Sequence, residues 1–154
     1  MQILLEEYAG PYLHSGDFTL ERRASAIALL GCANAVIAMA TADGVPFTAN
    51  PATGTQVAGE GHGGFRDQAC TIGAPHSSHK EAHAVDVYDP KRLFAAWCVL
   101  SVERLKAAGI RAVEDPRWTP TWVHLDVIPR MSGKFFFIPD ATLPRVPALP
   151  GQPV

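Results

Sequence analysis

Six histidines and fifteen acidic residues are spread through this 154-residue chain, and three of them have types and spacing that could do chemistry together: His79, Asp86 and His124. Two imidazole nitrogens and one carboxylate oxygen make a three-donor set that leaves the fourth tetrahedral position of Zn²⁺ open to water, the layout of a catalytic centre. Side-chain alternation along a strand sets their directions. Over 122–128, Val123, Leu125 and Val127 point to one face and Trp122, His124 and Asp126 to the other, so the apolar set faces a core while His124 projects beside an aromatic ring and a carboxylate. Over 83–88, Asp86 shares a side with Ala84 and Tyr88, and His79 precedes it in a serine-rich turn that a loop can fold back. By composition alone, exposed or hydrogen-bonded histidines are the plainer account of such a triple.

The elements that must position these groups read as follows. Asp17 or Thr19 caps a helix with Glu21 in its first turn, running through Ile27, Leu30, Asn34 and Ile37 until Asp43-Gly44 stops it. Residues 44–78 are rich in Gly, Thr, Ser and Pro and predict a long irregular loop; loops of that length are often functional. Gly59, Gly61, Gly63 and Gly64 precede no Lys-Ser/Thr pair, so a phosphate-cradling loop is unsupported. A strand is expected over 83–88. Asp89-Pro90 then opens a helix over 90–108 with Leu93, Ala96, Trp97 and Leu100 on its apolar face and Gly109 at its end. Strands follow at 110–114, 122–128 and 134–138. The fold class is α+β, a small antiparallel sheet with helices, and a parallel nucleotide-binding sheet is not indicated. One domain spans 1–139, and the Pro-rich segment 140–154 is expected to be an extended tail with no core role.

Composition narrows the function classes. The chain is 47% hydrophobic and 18% charged, which excludes a disordered segment, and its net charge of −2 with no basic run beyond Arg22-Arg23 argues against nucleic acid. Cys32, Cys70 and Cys98 are odd in number and widely spaced, fitting neither a disulfide framework nor a Cys-x-x-Cys site; buried thiols in a reducing compartment are expected. Ala24 to Ala42 carries no charge and is long enough to span a bilayer, but its alanine-rich make-up with Ser25, Asn34 and Thr41 favours a buried helix over a membrane span. The leader is acidic, not basic, so no signal peptide is expected.

The words around the three residues add a resemblance. Gly64-Phe65-Arg66, then Ser77-Ser78-His79-Lys-Glu-Ala-His-Ala-Val-Asp86, then Trp122-Val123-His124 resemble the M15 family of zinc D,D-carboxypeptidases and L,D-endopeptidases, whose pattern is Ser-x-His-x-x-Gly-x-Ala-x-Asp followed by Trp-x-His. The stretch 55–139 is similar to the phage and prophage branch, a little over half the chain. The resemblance implies zinc ligands at His79, Asp86 and His124, an Arg66 that binds or polarises the scissile carbonyl, a Hedgehog/D,D-peptidase fold, and a bacterial peptidoglycan stem peptide as substrate. Synthesis in the cytoplasm, with phage-encoded release or carriage on a virion and contacts to tail or lysis components, would follow from it. Ser77 and Trp122 fall at substrate-binding places, Trp122 stacking on substrate or simply packing. His62 and His76 are expected at the rim or in solvent.

Two departures matter. Ala82 stands at the family's glycine, which a methyl suits unless that backbone needs positive φ. Three residues before His124, where many members carry an acid, stands Thr121, which takes no proton at neutral pH. Glu114, Asp115 and Asp126 are the candidates for the missing base, with Asp126 also suited to orienting a ligand from behind. Without a base, the chain would be a non-catalytic zinc-binding module or a phage structural component carrying the same fold.

Overall fold

The computed structural model describes residues 1–139 and 146–150. It is a mixed α+β fold whose elements in chain order are α1 (Leu5–Ala9), a 3₁₀ turn (Gly10–Tyr12), α2 (Leu20–Ala42), a second 3₁₀ turn (Ser78–Glu81), β1 (Ala84–Tyr88), α3 (Leu93–Leu100), α4 (Val102–Ala107), β2 (Ala112–Glu114), β3 (Trp122–Asp126) and β4 (Phe136–Phe137).

The sheet order is β1-β3-β2-β4. β3 pairs antiparallel with both β1 and β2, but β4 pairs parallel with β2, a departure from the all-antiparallel sheet expected. β3 already has a neighbour on each side, so the next strand must go to an edge. The short reversal at 130–133, closed by Gly133 N–H donating to Arg130 O at 2.9 Å, returns the chain antiparallel to β3 and hence parallel to β2. The strands are also shorter than expected. Asp126 Oδ1 accepts from Ile128 N at 2.7 Å, a turn that ends β3, and Ile110 N donates to Leu105 O, so Ile110 closes a helix and does not begin β2.

Val85, Val87, Val113, Val123 and Leu125 put one sheet face into the core, where α2 supplies Ala26, Leu29, Leu30, Ala33, Val36, Ile37 and Ala40. Burying each of the larger aliphatic side chains contributes roughly 1.5–3 kcal/mol. Thr19 is the cap, its hydroxyl accepting from Arg22 N, whereas Asp17 accepts from Gln68 N instead. Leu30 and Ile37 are buried and Ile27 is exposed, and Asn34 grips the backbone of Ile3 through both its amide atoms. By length and composition α2 is apolar enough to cross a membrane, and in the fold its buried face belongs to the core cluster. α1 has no counterpart in the periodicity: it is one short turn, with Glu7 accepting from Leu4 N and Gly10-Pro11 ending it.

The expected helix over 90–108 is two helices broken at Ser101, and it begins at Leu93 because Arg92 is left-handed at φ 58°. Asp89 still caps it, three residues late, by accepting from Ala95 N at 2.8 Å. Phe94, Ala95, Trp97 and Cys98 form the buried face, while Leu93 and Leu100 are exposed: the larger Phe94 sets the rotation. Cys98 is buried as expected, but Cys32 and Cys70 are only half-buried, and all three are free. Residues 45–77 hold no helix or strand, as expected, although Val57 bridges Val87 and covers the outer edge of β1. Of the tail, Val146 N donates to Arg117 O and Leu149 packs against the core, correcting the expectation of no core role for that part; 140–145 and 151–154 lie outside the described residues.

Candidate metal centre

The register of the sheet assembles the site. Asp86 on β1 lies directly opposite His124 on β3, and Ala112 and Val113 on β2 pair with Asp126 and Leu125, so continuing the register sets Glu114 beside His124 on its other side. Glu114 in turn pairs with Phe137 on β4. Side chains opposite one another on one face stand about 4.5–5.5 Å apart. A single row across four strands therefore carries Asp86, His124, Glu114 and Phe137, and the T-shaped ring pair of His124 and Phe137, at 5.7 Å between centroids, is one of its contacts.

His79 reaches this row from the 3₁₀ turn. Its Nε2 is 3.3 Å from His124 Nδ1 and 3.4 Å from Asp86 Oδ1, and His124 Nδ1 is 2.8 Å from Asp86 Oδ1. Donors held about 2.0–2.1 Å from a tetrahedral Zn²⁺ stand about 3.3–3.4 Å apart, so two edges of the triangle already have that length and the third is slightly short. Of the nitrogens turned away from the triangle, that of His79 is hydrogen-bonded and that of His124 only faces a carboxylate. His79 Nδ1 lies 2.8 Å from Gly64 O and must donate to it, leaving the Nε2 lone pair free; His124 Nε2 faces Asp126 Oδ2 at 3.7 Å. Metal-binding histidines are typically oriented by a carbonyl or carboxylate behind them in this way. The buried group His79, Asp86 and His124 could hold a metal ion.

Electrostatics separate the roles of these groups. Burial lowers the pKa of His79 despite Asp86 beside it, which keeps the ring neutral. For His124 burial also acts downward, but the carboxylate of Asp126 facing it and the hydrogen bond to Asp86 outweigh it and raise the value to about 9. Asp86 is opposed by burial, yet the two histidines hold its carboxyl well below the usual carboxylate range. Glu114 is different: burial pushes it up to about 7, with the pull of His124 only partly offsetting that, and its Oε2 is 4.0 Å from His124 Nδ1. A carboxyl poised near 7 inside a cleft is matched to moving protons.

The loop residues are held by close backbone approach. A Cβ on Gly64 would lie 1.9 Å from Tyr8 O, and one on Gly63 would lie 2.3 Å from Ala58 O, so only glycine lets this strand of loop pass. Phe65 follows, fully buried against Tyr12 and Phe18 and donating its N–H to Tyr8 O at 2.9 Å. That anchor aims Arg66 inward: its Nε donates to His62 O at 2.6 Å, Nη1 to Ile72 O at 3.2 Å and Nη2 to Asp86 Oδ2 at 3.4 Å. Ser77 caps the 3₁₀ turn by accepting from His79 N, and the turn ends on Ala82 at φ 58°, ψ 36°. The backbone there does need positive φ, and the fully buried alanine adopts it at a cost of roughly 1–2 kcal/mol.

Of the expected site residues, Arg66, Ser77, His79, Asp86, Glu114, Trp122 and His124 all line one cavity of about 730 Å³. Asp115 does not. It lies one residue past Glu114, beyond the end of β2, and forks onto Arg117 at 2.5–3.2 Å, away from the cavity. Asp126 is fully buried and committed to Ile128 N and to Arg130 Nη2 at 2.8 Å, which suits orienting His124 and leaves it no access to a substrate. His76 is at the exposed rim as expected. His62 is half-buried and contributes its carbonyl to Arg66, its ring lying 3.9 Å from Cys70 Sγ. Sequence reasoning missed Arg130, Phe137, Ile72 and Ile138, which complete the wall. Phe137 had a signal, the apolar run over 135–138, but its partner strand did not.

No protein-family model, curated protein or solved structure matches the chain.

Proposed function

We propose that this chain is a zinc-dependent peptidase of the M15 type, with a Hedgehog/D,D-peptidase fold, that hydrolyses peptide bonds of bacterial peptidoglycan stem peptides. The observation that carries the reading is the row Asp86, His124, Glu114: two donors of a three-donor set with a carboxyl of raised pKa immediately beside them, lining a cavity with Arg66. Zinc held by His79, Asp86 and His124 would supply Lewis acidity, polarising a carbonyl and lowering the pKa of water from about 15.7 towards 7. His79 presents Nε2 because Gly64 O holds its ring from behind, and His124 presents Nδ1 with Asp126 facing its other nitrogen. Glu114 accepts a proton during attack on the peptide and returns it to the leaving amine. Arg66, held by two carbonyls and Asp86, faces the carbonyl oxygen as charge develops there, an interaction whose loss typically costs on the order of 10²–10³ in rate. Trp122 and Phe137 wall the cavity and limit water. Glu114 fills the role that Thr121 leaves open, and so favours an enzyme over a metal-binding module or a virion component. The substrate lies outside the cytoplasmic membrane, reached by phage-encoded release or on a virion.

The test is metal content by mass spectrometry together with hydrolysis of purified stem peptides by the wild type, Glu114→Gln and His124→Ala. The reading expects one zinc per chain in the first two, little in the third, and hydrolysis by the wild type alone. Zinc bound without hydrolysis of any stem peptide would turn the conclusion to a binding module, and absence of metal after zinc is added would sink both.

A further inference from the structure

The cavity contains a second guanidinium that the three-donor centre does not use. Arg130 lies four residues beyond Asp126, in the turn between β3 and β4, and donates through Nη2 to Asp126 Oδ2 at 2.8 Å. Its guanidinium carbon sits 3.8 Å from the centroid of the Phe137 ring, which fixes its plane. Its Nε is buried with no hydrogen-bond partner, and the side chain keeps 31% exposure while lining the cavity with Glu114 and His124.

Arg66 makes the contrast. Each of its three nitrogens already donates, and its side chain is 10% exposed. Arg130 makes one such bond where Arg66 makes three, out of the five N–H groups each guanidinium carries. It is the cation of the cavity with the larger reserve of donors and the greater exposure, set over an aromatic ring and lining the cavity with Glu114 and His124. The overall charge points the same way. With a divalent cation bound, two guanidinium groups and the ion outweigh the carboxylates of Asp86, Glu114 and Asp126 by one unit, so the loaded cavity favours an anion. Guanidinium groups bind carboxylates through paired charge-assisted hydrogen bonds.

We infer that Arg130 is a substrate-binding residue that recognises a carboxylate carried close to the scissile bond. This rests on the peptidase reading and deepens it. The carboxylate comes either from the C-terminus of the peptide or from an acidic side chain next to the bond; the first makes the enzyme a carboxypeptidase, the second admits an endopeptidase.

Three probes separate these sources: N-acetyl-D-alanyl-D-alanine, its C-terminal amide, and N-acetyl-alanyl-glutamic acid α-amide, whose only carboxylate is on the side chain. Binding is measured by calorimetry on the zinc-loaded, full-length Glu114→Gln protein, so that no turnover is needed, with Arg130 intact, as Lys, or as Met. We expect at least tenfold tighter binding of one of the two acids than of the neutral amide, a smaller preference with Lys, and less than twofold with Met. Tighter binding of the dipeptide acid assigns the C-terminal source, and tighter binding of the glutamyl probe assigns the side chain. Equal binding of all three, binding of none, or a preference that survives Arg130→Met would overturn the inference. Arg130→Lys keeps a cation for Asp126, so should the Met protein fail to hold zinc or to fold, the comparison of Lys with Arg decides. A carboxylate preference that depends on Arg130 in a protein whose wild type cleaves nothing would leave this inference standing and remove the peptidase reading.

Discussion

Metal binding at this site must displace a proton, and the size of the competition is set by His124. Asp126 and Asp86 raise its pKa to about 9, against the downward pull of burial, so at pH 7 the ring is almost wholly an imidazolium and its Nδ1 lone pair is taken. His79 is held neutral by burial and Asp86 is held ionised by the histidines, so neither contributes a proton near neutrality. Deprotonating His124 two units below its pKa costs about 2.7 kcal/mol, roughly a hundredfold in apparent affinity. The zinc dissociation constant should therefore fall about tenfold per pH unit between pH 6 and 8, measured with a competing chelator of known affinity. Calorimetry in buffers of different ionisation enthalpy should show about one proton released from His124 at pH 7, with up to about half a proton more from Glu114, which stands near 7 and would be acidified by a nearby cation. The metal-free protein supplies the sign check. A group raised from 6.5 to about 9 on folding stabilises fully below pH 6.5 and progressively less as pH climbs through 9, so the metal-free melting temperature should fall across that window. Zinc affinity that is flat from pH 6 to 8, with no proton released, would refute the arrangement in which His124 is a ligand clamped between two carboxylates.

Other perturbations test the remaining parts. Asp126→Asn removes one of those carboxylates and should lower the His124 pKa, reduce the proton release and weaken zinc binding about 10–100-fold, as read by the same titrations. Gly64→Ala places a methyl against Tyr8 O and should destabilise by about 3 kcal/mol or prevent folding, measured by urea unfolding, whereas Gly16→Ala, with nothing within 4 Å, should cost less than about 1 kcal/mol. At Ala82, relief of positive φ and loss of a buried methyl nearly offset, so Ala82→Gly should fall within about 1 kcal/mol of wild type; Ala82→Val, β-branched at φ 58°, should lose about 2 kcal/mol or more by the same measurement. Arg66→Met should lower kcat on stem peptides about 10²–10³-fold while leaving zinc bound, checked by metal content alongside the rate.

What the sequence could reveal and what it hid divide along physical lines. The directions of Asp86, Trp122, His124 and Asp126 were legible because strand alternation is a local rule, and the irregular stretch before Ser78 was legible because its Gly, Pro and Ser content has no other use. The grouping of His79 with them required a contact between a loop and a sheet, which periodicity does not encode; the motif resemblance supplied it. The helix over 90–108 misled because Leu93 and Leu100 satisfy helical spacing as well as Phe94 and Cys98 do, and the choice between the faces depends on distant partners such as Phe47, whose ring meets Phe94. The parallel β4 was hidden for a similar reason: nothing in residues 134–138 says which edge is free. Arg130 escaped because the spacing of four from an Asp is a pairing signal in a helix, whereas here an irregular turn brings the two together.

The choice among Glu114, Asp115 and Asp126 shows why register, not proximity in sequence, decides chemistry. Asp115 stands one residue beyond Glu114, and Asp126 two residues beyond the histidine on the rung of Glu114. Glu114 falls on the same rung as His124, which puts it on the cavity face and next to a candidate metal donor. Asp115 is a single residue further, and a single residue reverses the face, so its carboxylate meets Arg117 instead. Asp126 keeps the face but sits two residues along β3, opposite Ala84 and Ala112. Those two small neighbours leave room for it to turn behind His124 rather than over it. Each acid thus has one environment: one desolvated and near pH 7, one neutralised by a fork of hydrogen bonds, one buried as a support. A carboxyl that exchanges its proton near neutrality and a carboxylate that stays ionised need opposite environments, and the sheet provides both by setting Glu114 on the rung of His124 and Asp126 two residues further along β3.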